Sequence, residues 1–436
     1  MPPATRPLPF VKPPSYNHAT ATSRAATSVR GILFTLAAVQ FTHIMDFMIM
    51  MPLGAGLMRV LAITPHQFSY LVAAYGLAAA ATGFTGGFFI DRFDRKHALL
   101  WLYAGFGLAT LACALAPTFH ALLAARLAAG ACGGAAGAIV QAMVADVIPP
   151  ERRGRGLAVV ATAFPLASVL GIPAGLFLAN LFEWHAPFLL LAALTVPIGC
   201  IAARFLPSLP PAADRPHPGR QMQAILTHRV HRRGFLLTAA LVFAGGLIIP
   251  FMSPSLVANT GLRETQLTWV YLCGGAATFF TTRLFGRLTD RHDKLHVLAA
   301  VTLVAIATSI GLTQLGPSPI GLTLVVTTLF FITMSGRFTP AMALISNAVE
   351  PRYRGGFMSV NSAVQQAASG LANLTAGVLV SREPVSGRLV GYPLTGWVAV
   401  GAFLLTLGLA WRLRAAAPHA AQSGRHPTAP APGVAD

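Results

Sequence analysis

The chain has 436 residues, of which 55% are hydrophobic and only 10% are charged, and its mean hydropathy is +0.64. Soluble domains carry about 25% charged residues, so this composition excludes an ordinary soluble protein and predicts a polytopic membrane protein. The net charge of +18 would fit a nucleic-acid binder, but the basic residues lie in short clusters between apolar runs. Membrane topology explains that distribution, so we expect the chain to lie in a lipid bilayer and to bind no nucleic acid.

Cysteines and sequence motifs give no sign of a cofactor. The four cysteines fall inside apolar runs without CxxC spacing (Cys113, Cys132, Cys200, Cys273). They therefore indicate neither a disulfide framework nor a metal site. The chain also contains no GxxxxGK[ST] and no HExxH motif. We expect no cofactor, no metal and no enzymatic activity.

Apolar runs long enough to cross roughly 30 Å of hydrocarbon, at about 20 residues each, can be counted in chain order. They span approximately 31–53, 67–90, 98–117, 119–147, 156–182, 186–206, 234–258, 265–288, 295–315, 320–348, 356–381 and 393–414. Six runs precede a Pro-rich break and six follow it. This pattern predicts an all-α membrane protein with 12 transmembrane helices in two six-helix bundles.

These runs divide the chain into five parts: a tail (1–30), a first bundle (31–206), a linker (207–233), a second bundle (234–414) and a second tail (415–436). Both tails are rich in Ala and Pro and are predicted to be disordered. The linker begins as PSLPPAADRPHPG and continues as a basic stretch with apolar Met222, Ile225 and Leu226. That stretch fits either a short helix at the cytoplasmic membrane surface or a plain linker.

The basic residues predict the orientation. With both tails inside, 24 of the 31 Lys and Arg lie on the cytoplasmic side, four lie outside and three lie within spans. Such a bias predicts that both termini are cytoplasmic, and an even number of spans agrees with it. We expect a multi-pass protein of the cell's inner (cytoplasmic) membrane.

Two charged loops occur twice in the chain. The first pair shares a Gly, two Asp and basic residues, 199 positions apart (Gly87, Asp91, Arg92, Asp94 and Arg95; Gly286, Asp290, Arg291, Asp293 and Lys294). The second pair, Asp146–Gly154 and Asn347–Gly355, has an offset of 201. Two motif pairs at nearly equal offsets indicate that the chain is a duplicated six-helix unit.

The first loop also carries a family resemblance. The segment Gly87–Lys96 resembles the G-x-x-x-D-R-x-G-R-[RK] signature between helices 2 and 3 of the major facilitator superfamily. Asp94 and Asp293 stand where the family has Gly. This is a mild departure, because Asp is among the few residues that tolerate a left-handed backbone.

Three further segments strengthen the resemblance: Arg126–Gly130 (R-x-x-x-G of helix 4), Gly171–Gly175 (the helix-5 motif of antiporters, with its Gly-Pro split by Ile172) and Trp184–Phe188 (the W-R-A-x-F entry to helix 6). Over residues 31–414 the chain resembles the bacterial drug:proton antiporter and arabinose-efflux-permease-like branch. The resemblance implies a transporter whose helices 1 and 4 line a central cavity.

Asp46 is the only carboxylate well inside a predicted span. A charge at membrane depth costs about 2.5–3.5 kcal/mol on insertion scales, so such a residue usually faces a cavity and has a role. Asp46 and Arg126 both lie on the order of 10 Å below the outer surface, at 1.5 Å per residue. Their equal depth allows an ion pair.

This pair predicts proton coupling. A carboxyl among apolar groups holds its proton, whereas one that faces a guanidinium releases it, so rocking of the two halves would alternate the two states. The alternative is structural, with Asp46 bonding only backbone or Arg126. His43 shares a helix face with Gln40 and Asp46, and it fits either a proton relay or a satisfied polar neighbour.

Other polar residues are candidates for the substrate cavity. Arg337 lies near the middle of helix 10, where it would hold an anionic or polar substrate group or stabilise the cavity. Gln40, Asn361 and Gln365 are candidate cavity amides, with interhelical hydrogen bonding as the alternative. Glycines 130, 133, 134 and 137 predict close helix packing, and Pro250 and Pro254 predict a kink in helix 7.

The duplicated loop is predicted to act as a latch. By resemblance, Asp91, Arg95 and Asp146 form a charge cluster that holds the halves together on the cytoplasmic side, and Gly87 and Arg92 belong to the same signature. The second copy has Asp290 and Arg291, but Asn347 replaces the acid of helix 4. One latch is therefore complete and its twin lacks a charge.

Together these features predict a secondary transporter that works as a monomer and exports a small organic compound in exchange for protons. An alternative within transport is an efflux or uptake permease for sugars or organic anions. The excess of two intramembrane arginines over one intramembrane acid would favour it. A receptor is the alternative from another class. Neither tail is of a composition that would fold into an output domain.

Overall fold

The computed structural model describes residues 29–89, 93–149, 152–209, 218–350, 353–417 and 420. The predicted tails fall almost wholly outside these residues, as do the Pro-rich part of the linker, Asp91 and Arg92. Gly87 is described only as backbone in a helix.

Among the described residues, ten α-helices make up the first half of the chain and the linker. They are α1 (Val29–Ile49), α2 (Gly54–Val60), α3 (Pro65–Phe89), α4 (Arg95–Ala114), α5 (Phe119–Val147), α6 (Arg153–Ala161), α7 (Ala163–Leu166), α8 (Ile172–Phe182), α9 (Ala186–Phe205) and α10 (Pro218–Thr227). A π-helical turn, Ala167–Gly171, joins α7 to α8. The segment from α6 to α8 therefore crosses the molecule as one interrupted helix.

The second half contains α11 (Arg229–Gly246), α12 (Ile249–Ala258), a 3-10 turn (Glu264–Gln266), α13 (Leu267–Arg291), α14 (Lys294–Thr313), α15 (Ile320–Ala348), α16 (Arg354–Leu379), a hairpin of β1 (Ser381–Arg382) and β2 (Leu389–Val390), and α17 (Tyr392–Ala416). Helices α11 and α12 together make one crossing. The described residues thus cross the molecule six times before α10 and six times after it, which confirms the predicted fold.

Ten of these crossings are long and apolar enough to span a membrane by length and composition. The other two, α13 and α16, have 25 and 26 residues but are more polar. They are also the helices that pack across to the first half, α16 against α3 and α13 against α8 and its π turn. Helix α16 has buried residues along most of its length, so it does not need the apolar surface of a lipid-facing helix.

Matching helix lengths confirm the duplication. Helices α3 and α13 both have 25 residues, α4 and α14 both have 20, and α5 and α15 both have 29. The glycines of α5 explain its close contact with α3. A Cβ at Gly130 would lie 2.3 Å from the carbonyl oxygen of Tyr75, and one at Gly134 would lie 2.3 Å from that of Ala79. Only glycine permits this approach.

Two crossings are interrupted just before a proline. Helix α11 ends at Gly246, and α12 begins at Ile249 with Pro250 in its first turn. Pro250 has no N–H to donate to the carbonyl of Gly246, and its ring would clash with that carbonyl in a continuous helix. Pro254 lies inside α12 without ending it, so Pro250 alone accounts for the break. The π turn in the α6–α8 crossing likewise lies just before Pro173.

The two halves share their largest apolar core at one end. This end carries α2 and the hairpin, lies opposite the start of α1 and the end of α17, and is called the outer end below. There, a single apolar cluster combines Ile49 and Leu57 of the first half with Leu247 and Phe251 of the second. Towards the other end, the buried residues of each half form their own cluster, and Phe84 of the first half also packs against the cluster of the second. The described halves are therefore packed together at the outer end.

Candidate functional site

Asp46 and Arg126 form an ion pair inside the first bundle. Nη1 of Arg126 donates to Oδ2 of Asp46 at 2.8 Å and to its backbone oxygen at 3.1 Å. Both side chains are fully buried. Thr110 of α4 donates to Oδ1 of Asp46 at 3.4 Å. The pair thus links α1, α4 and α5, and Asp46 is the only fully buried carboxylate among the described residues.

The guanidinium of Arg126 is only partly satisfied by these contacts. Its Cζ lies 4.6 Å from the ring centroid of Tyr75, a cation–π contact that adds some stabilisation. Its Nε and Nη2 have no hydrogen-bond partner within the described part of the chain. The pair is therefore held by one strong bond, and the arginine has donors to spare for another acceptor.

His43 lies one helical turn before Asp46 but is not hydrogen-bonded to it. Its ring packs edge-on against Phe106, with 4.3 Å between ring centroids, and neither ring nitrogen has a partner among the described residues. The hydroxyl of Tyr75 donates to the backbone oxygen of His43 at 3.3 Å. In this conformation His43 is a buried neighbour of the ion pair.

The three candidate amides lie in different surroundings. Gln40 is half-buried, and its Oε1 would lie 3.8 Å from a Cβ at Gly137 of α5. Asn361 is buried inside the second bundle, where its Oδ1 accepts a hydrogen bond from Thr238 at 2.7 Å. Gln365 is half-buried on α16. No contact among the described residues brings Asn361 or Gln365 to the Asp46–Arg126 pair.

Arg337 lies inside the second bundle and has no carboxylate partner among the described residues. The side chain is 2% exposed, and its Cζ lies 4.3 Å from the ring centroid of Phe403 on α17. Nη2 contacts Sδ of Met334 at 3.1 Å, whereas Nε and Nη1 have no partner in the described residues. The second bundle therefore encloses an arginine without the acid that Arg126 has.

The charged loop after α3 is joined to the end of α5. Nη1 of Arg95 lies 2.5 Å from Oδ2 of Asp146, and the backbone N–H of Arg95 donates to Leu209 at 3.2 Å. Asp91 and Arg92, the other predicted latch residues, lie outside the described residues. One ion pair of the predicted cluster is thus present.

The second copy of this loop has different contacts. Asp290 and Arg291 are exposed at the end of α13, and Asn347 donates to the backbone oxygen of Ala420 at 3.4 Å. Lys294, the counterpart of Arg95, is buried. The described parts of the two copies therefore differ in their charge contacts.

The aspartates that replace the family's glycine do not use a left-handed backbone. Asp94 has φ −60° and ψ 123°, and Asp293 has φ −60° and ψ 125°. Each is instead the N-cap of the next helix: Asp94 accepts from the N–H of His97 at 3.0 Å, and Asp293 from that of Leu295 at 2.9 Å. The role of an extended N-cap, rather than tolerance of a left-handed backbone, therefore accounts for Asp at these two positions.

Hydrogen bonds also keep Asp94 ionised. Partial desolvation raises its pKa, but hydrogen bonds from Ser208 and from the backbone and ring of His97 lower the pKa more, so the net pKa lies below its ordinary value. The contact with Ser208 joins the segment that follows α9 to the start of α4.

An ion pair between the halves at the outer end was not predicted from the sequence. Nη1 of Arg59, on α2, lies 2.7 Å from Oε1 of Glu264, at the start of the 3-10 turn of the second half. A Cβ at Gly54 would lie 2.6 Å from the ring of Phe68 and 3.0 Å from Pro254, so the two halves also fit closely there. The partners are 205 positions apart, and the sequence gives no signal that joins two loop charges so far apart.

Two similar six-helix bundles, the first of which encloses a buried ion pair, are the architecture of a polytopic membrane transporter. A model of the Major Facilitator Superfamily matches residues 36–247 and again residues 234–433. The chain belongs to the Major Facilitator Superfamily and is a secondary transporter. This agrees with the resemblance seen in the sequence.

Relatives and solved structures agree with this assignment. The chain is 25% identical over 359 residues to the uncharacterised MFS-type transporter YceJ of Bacillus subtilis, which covers 81% of this chain and 90% of the relative. It is 26% identical over 258 residues to a chloramphenicol resistance protein of Streptomyces lividans, covering 58% of this chain and 64% of the relative. The fold also resembles a bacterial homologue of the human lysosomal transporter Spinster, with a TM-score of 0.71 at 15% identity, covering 92% of this chain and all of that one.

Proposed function

We propose that this protein exports a small organic compound in exchange for protons. The observation that carries the proposal is the fully buried Asp46–Arg126 pair, which joins the only fully buried carboxylate of the described residues to a guanidinium with free donors. A carboxylate at this depth persists in proteins mainly where it has a role. Titration of Asp46 is then the coupling step.

The contacts of the pair define how coupling works. When Asp46 is ionised, it holds Arg126 through a bond of 2.8 Å that ties α1 to α5. Protonation removes the charge from Asp46, weakens this bond and frees Arg126 for another acceptor. Substrate and proton thus compete for one site. His43 acts as a relay only in a conformation that turns its ring towards Asp46, and Gln40 contributes a cavity amide from the same helix face.

Alternating access requires a closing contact at each end. At the outer end we assign this role to the shared apolar cluster and the Arg59–Glu264 pair, which must separate when the protein opens outward. At the other end we assign it to the Arg95–Asp146 pair together with Asp91 and Arg92. The exposed Asp290 and Arg291 of the second copy have the weaker role. Asn361 and Gln365 are proposed as second-bundle amides that line the cavity once the halves have moved.

We infer the location and orientation of the protein from its charge distribution. We place the protein in the cytoplasmic membrane as a monomer, with both termini in the cytoplasm, because 24 of its 31 basic residues then lie inside. The partners are the lipid bilayer, protons and a small-molecule substrate. We assign the protein no catalytic chemistry of its own.

A permease for sugars or organic anions is the second candidate. It is favoured by Arg337, a buried cation that no carboxylate of the described residues neutralises. A chloramphenicol resistance protein among the relatives supports efflux of organic compounds instead. A non-transporting receptor is the weakest candidate, because the family model matches both halves of the chain.

A counterflow screen in proteoliposomes, with and without a pH gradient, tests the proposal. Exchange of a compound that accelerates when the gradient is imposed would support proton-coupled transport. Exchange that is unaffected by the gradient would contradict coupling and leave a uniporter. Liposomes without protein control for passive leak of the compound.

A further inference from the structure

We propose that Arg337 is the centre of a binding site for a small organic anion, namely a carboxylate attached to an apolar body. This inference rests on the transport function proposed above and adds to it the chemical class of the substrate. The observation that carries it is a buried guanidinium with two nitrogens, Nε and Nη1, that have no partner in the described residues. The third nitrogen contacts only the thioether of Met334, which is a weak acceptor.

No carboxylate of this chain neutralises Arg337 in the described structure. The second bundle contains five acids, and all of them lie at helix ends or in loops (Glu264, Asp290, Asp293, Glu350 and Glu383). Arg337 stands eleven residues before the end of α15 at Ala348, which is about 16 Å along the helix. A charge at that depth without a counter-ion is costly, so binding of an anion from outside the chain would offset this cost.

The walls of the site define the rest of the ligand. The ring of Phe403 covers one face of the guanidinium at 4.3 Å, and Met334 lies at its edge. Both side chains are apolar, so they favour an anion that carries an aromatic or aliphatic body over a hydrated inorganic ion. The free nitrogens then bond the carboxylate through charge-assisted hydrogen bonds.

The break between α11 and α12 lies close to Met334, one of the residues of this site. A Cβ at Gly245, in the last turn of α11, would lie 3.8 Å from Sδ of Met334. Because the helix is interrupted directly after Gly246, bending there would change how closely α11 packs against Met334. Met334 thus lies between Arg337 and the break in the α11–α12 crossing.

Benzoate and benzamide test the proposal, because they share shape and differ in charge. Equilibrium binding of both is measured on the full-length protein in lipid nanodiscs at neutral pH, without a pH gradient. We expect saturable benzoate binding that is at least about tenfold tighter than benzamide binding, the ratio that one charge-assisted hydrogen bond provides. Arg337→Gln should abolish that preference, whereas Arg283→Gln, at the exposed arginine of α13, should keep it.

Two results would overturn the proposal: no saturable benzoate binding to the wild-type protein, or an unchanged preference in Arg337→Gln. If Arg337→Gln does not fold, Arg337→Lys decides, because it retains the charge and should still prefer benzoate; loss of preference there would also overturn it. The assay involves no proton gradient. Failure here therefore leaves proton exchange untouched, and failure of proton exchange leaves the binding result valid.

Discussion

The glycines of α5 allow opposite predictions for Gly→Ala substitutions at two positions of the same helix. A Cβ at Gly130 would lie 2.3 Å from a backbone oxygen of α3, where carbon and oxygen normally stay about 3.3–3.6 Å apart. The substitution Gly130→Ala therefore forces α3 and α5 apart by about 1 Å. At Gly137 the nearest atom is Oε1 of Gln40, at 3.8 Å, so the same methyl group fits.

The energies follow from these distances. Overpacking of a close contact costs about 1–3 kcal/mol, whereas alanine in place of glycine in a helix gains up to about 1 kcal/mol. We expect Gly130→Ala to lower the free energy of unfolding by about 1–2 kcal/mol. Gly137→Ala should leave it unchanged or raise it by up to about 1 kcal/mol. Gly134→Ala, also at 2.3 Å, should behave like Gly130→Ala.

Unfolding in mixed micelles by titration with a denaturing detergent, followed by circular dichroism, measures these differences between variants. Gly137→Ala is the matched control, since it adds the same methyl group to the same helix. A Gly130→Ala protein that is as stable as Gly137→Ala would refute the reasoning from close contact.

Three further predictions concern the loops and the outer end. Asp91→Asn should slow transport in proteoliposomes by tenfold or more, and Asp290→Asn much less; equal effects would mean that the two loops are functionally alike. Cross-linking of Arg59→Cys to Glu264→Cys with a bifunctional thiol reagent that contains a reducible bond should stop transport, and reduction should restore it; transport by the cross-linked protein would show that the outer end need not open. Asp94→Ala should reduce the free energy of unfolding by about 0.5–2 kcal/mol as a lost N-cap, and Asp94→Gly by only a few tenths; the detergent titration would contradict this if the two were equal.

Much of the fold could be predicted because it depends on local composition. Apolar runs of about 20 residues have few alternatives to membrane helices, and the repeated loops indicated the duplication. Depth along a helix was enough to suggest that Asp46 and Arg126 meet, since both positions were counted from the outer surface. The break in span 7 was also signalled, by Pro250.

Other contacts could not be predicted because they depend on how helices rotate and how the halves dock. The hydrogen bond between Asn361 and Thr238 depends on how α16 is rotated against α11. The pairing of Arg59 with Glu264 depends on the conformation in which the halves meet. The capping role of Asp94 was missed for a different reason: attention to the family's glycine concealed a local signal, an Asp directly before a helix.

The central claim, that Asp46 couples proton movement to transport, is tested most directly in proteoliposomes with one transported compound. Counterflow without a gradient reports translocation, and accumulation driven by a pH gradient reports coupling. We predict that Asp46→Asn retains counterflow and loses gradient-driven accumulation, whereas Glu383→Gln, an exposed acid at the outer hairpin, retains both. Gradient-driven accumulation by Asp46→Asn at the wild-type level would contradict the claim.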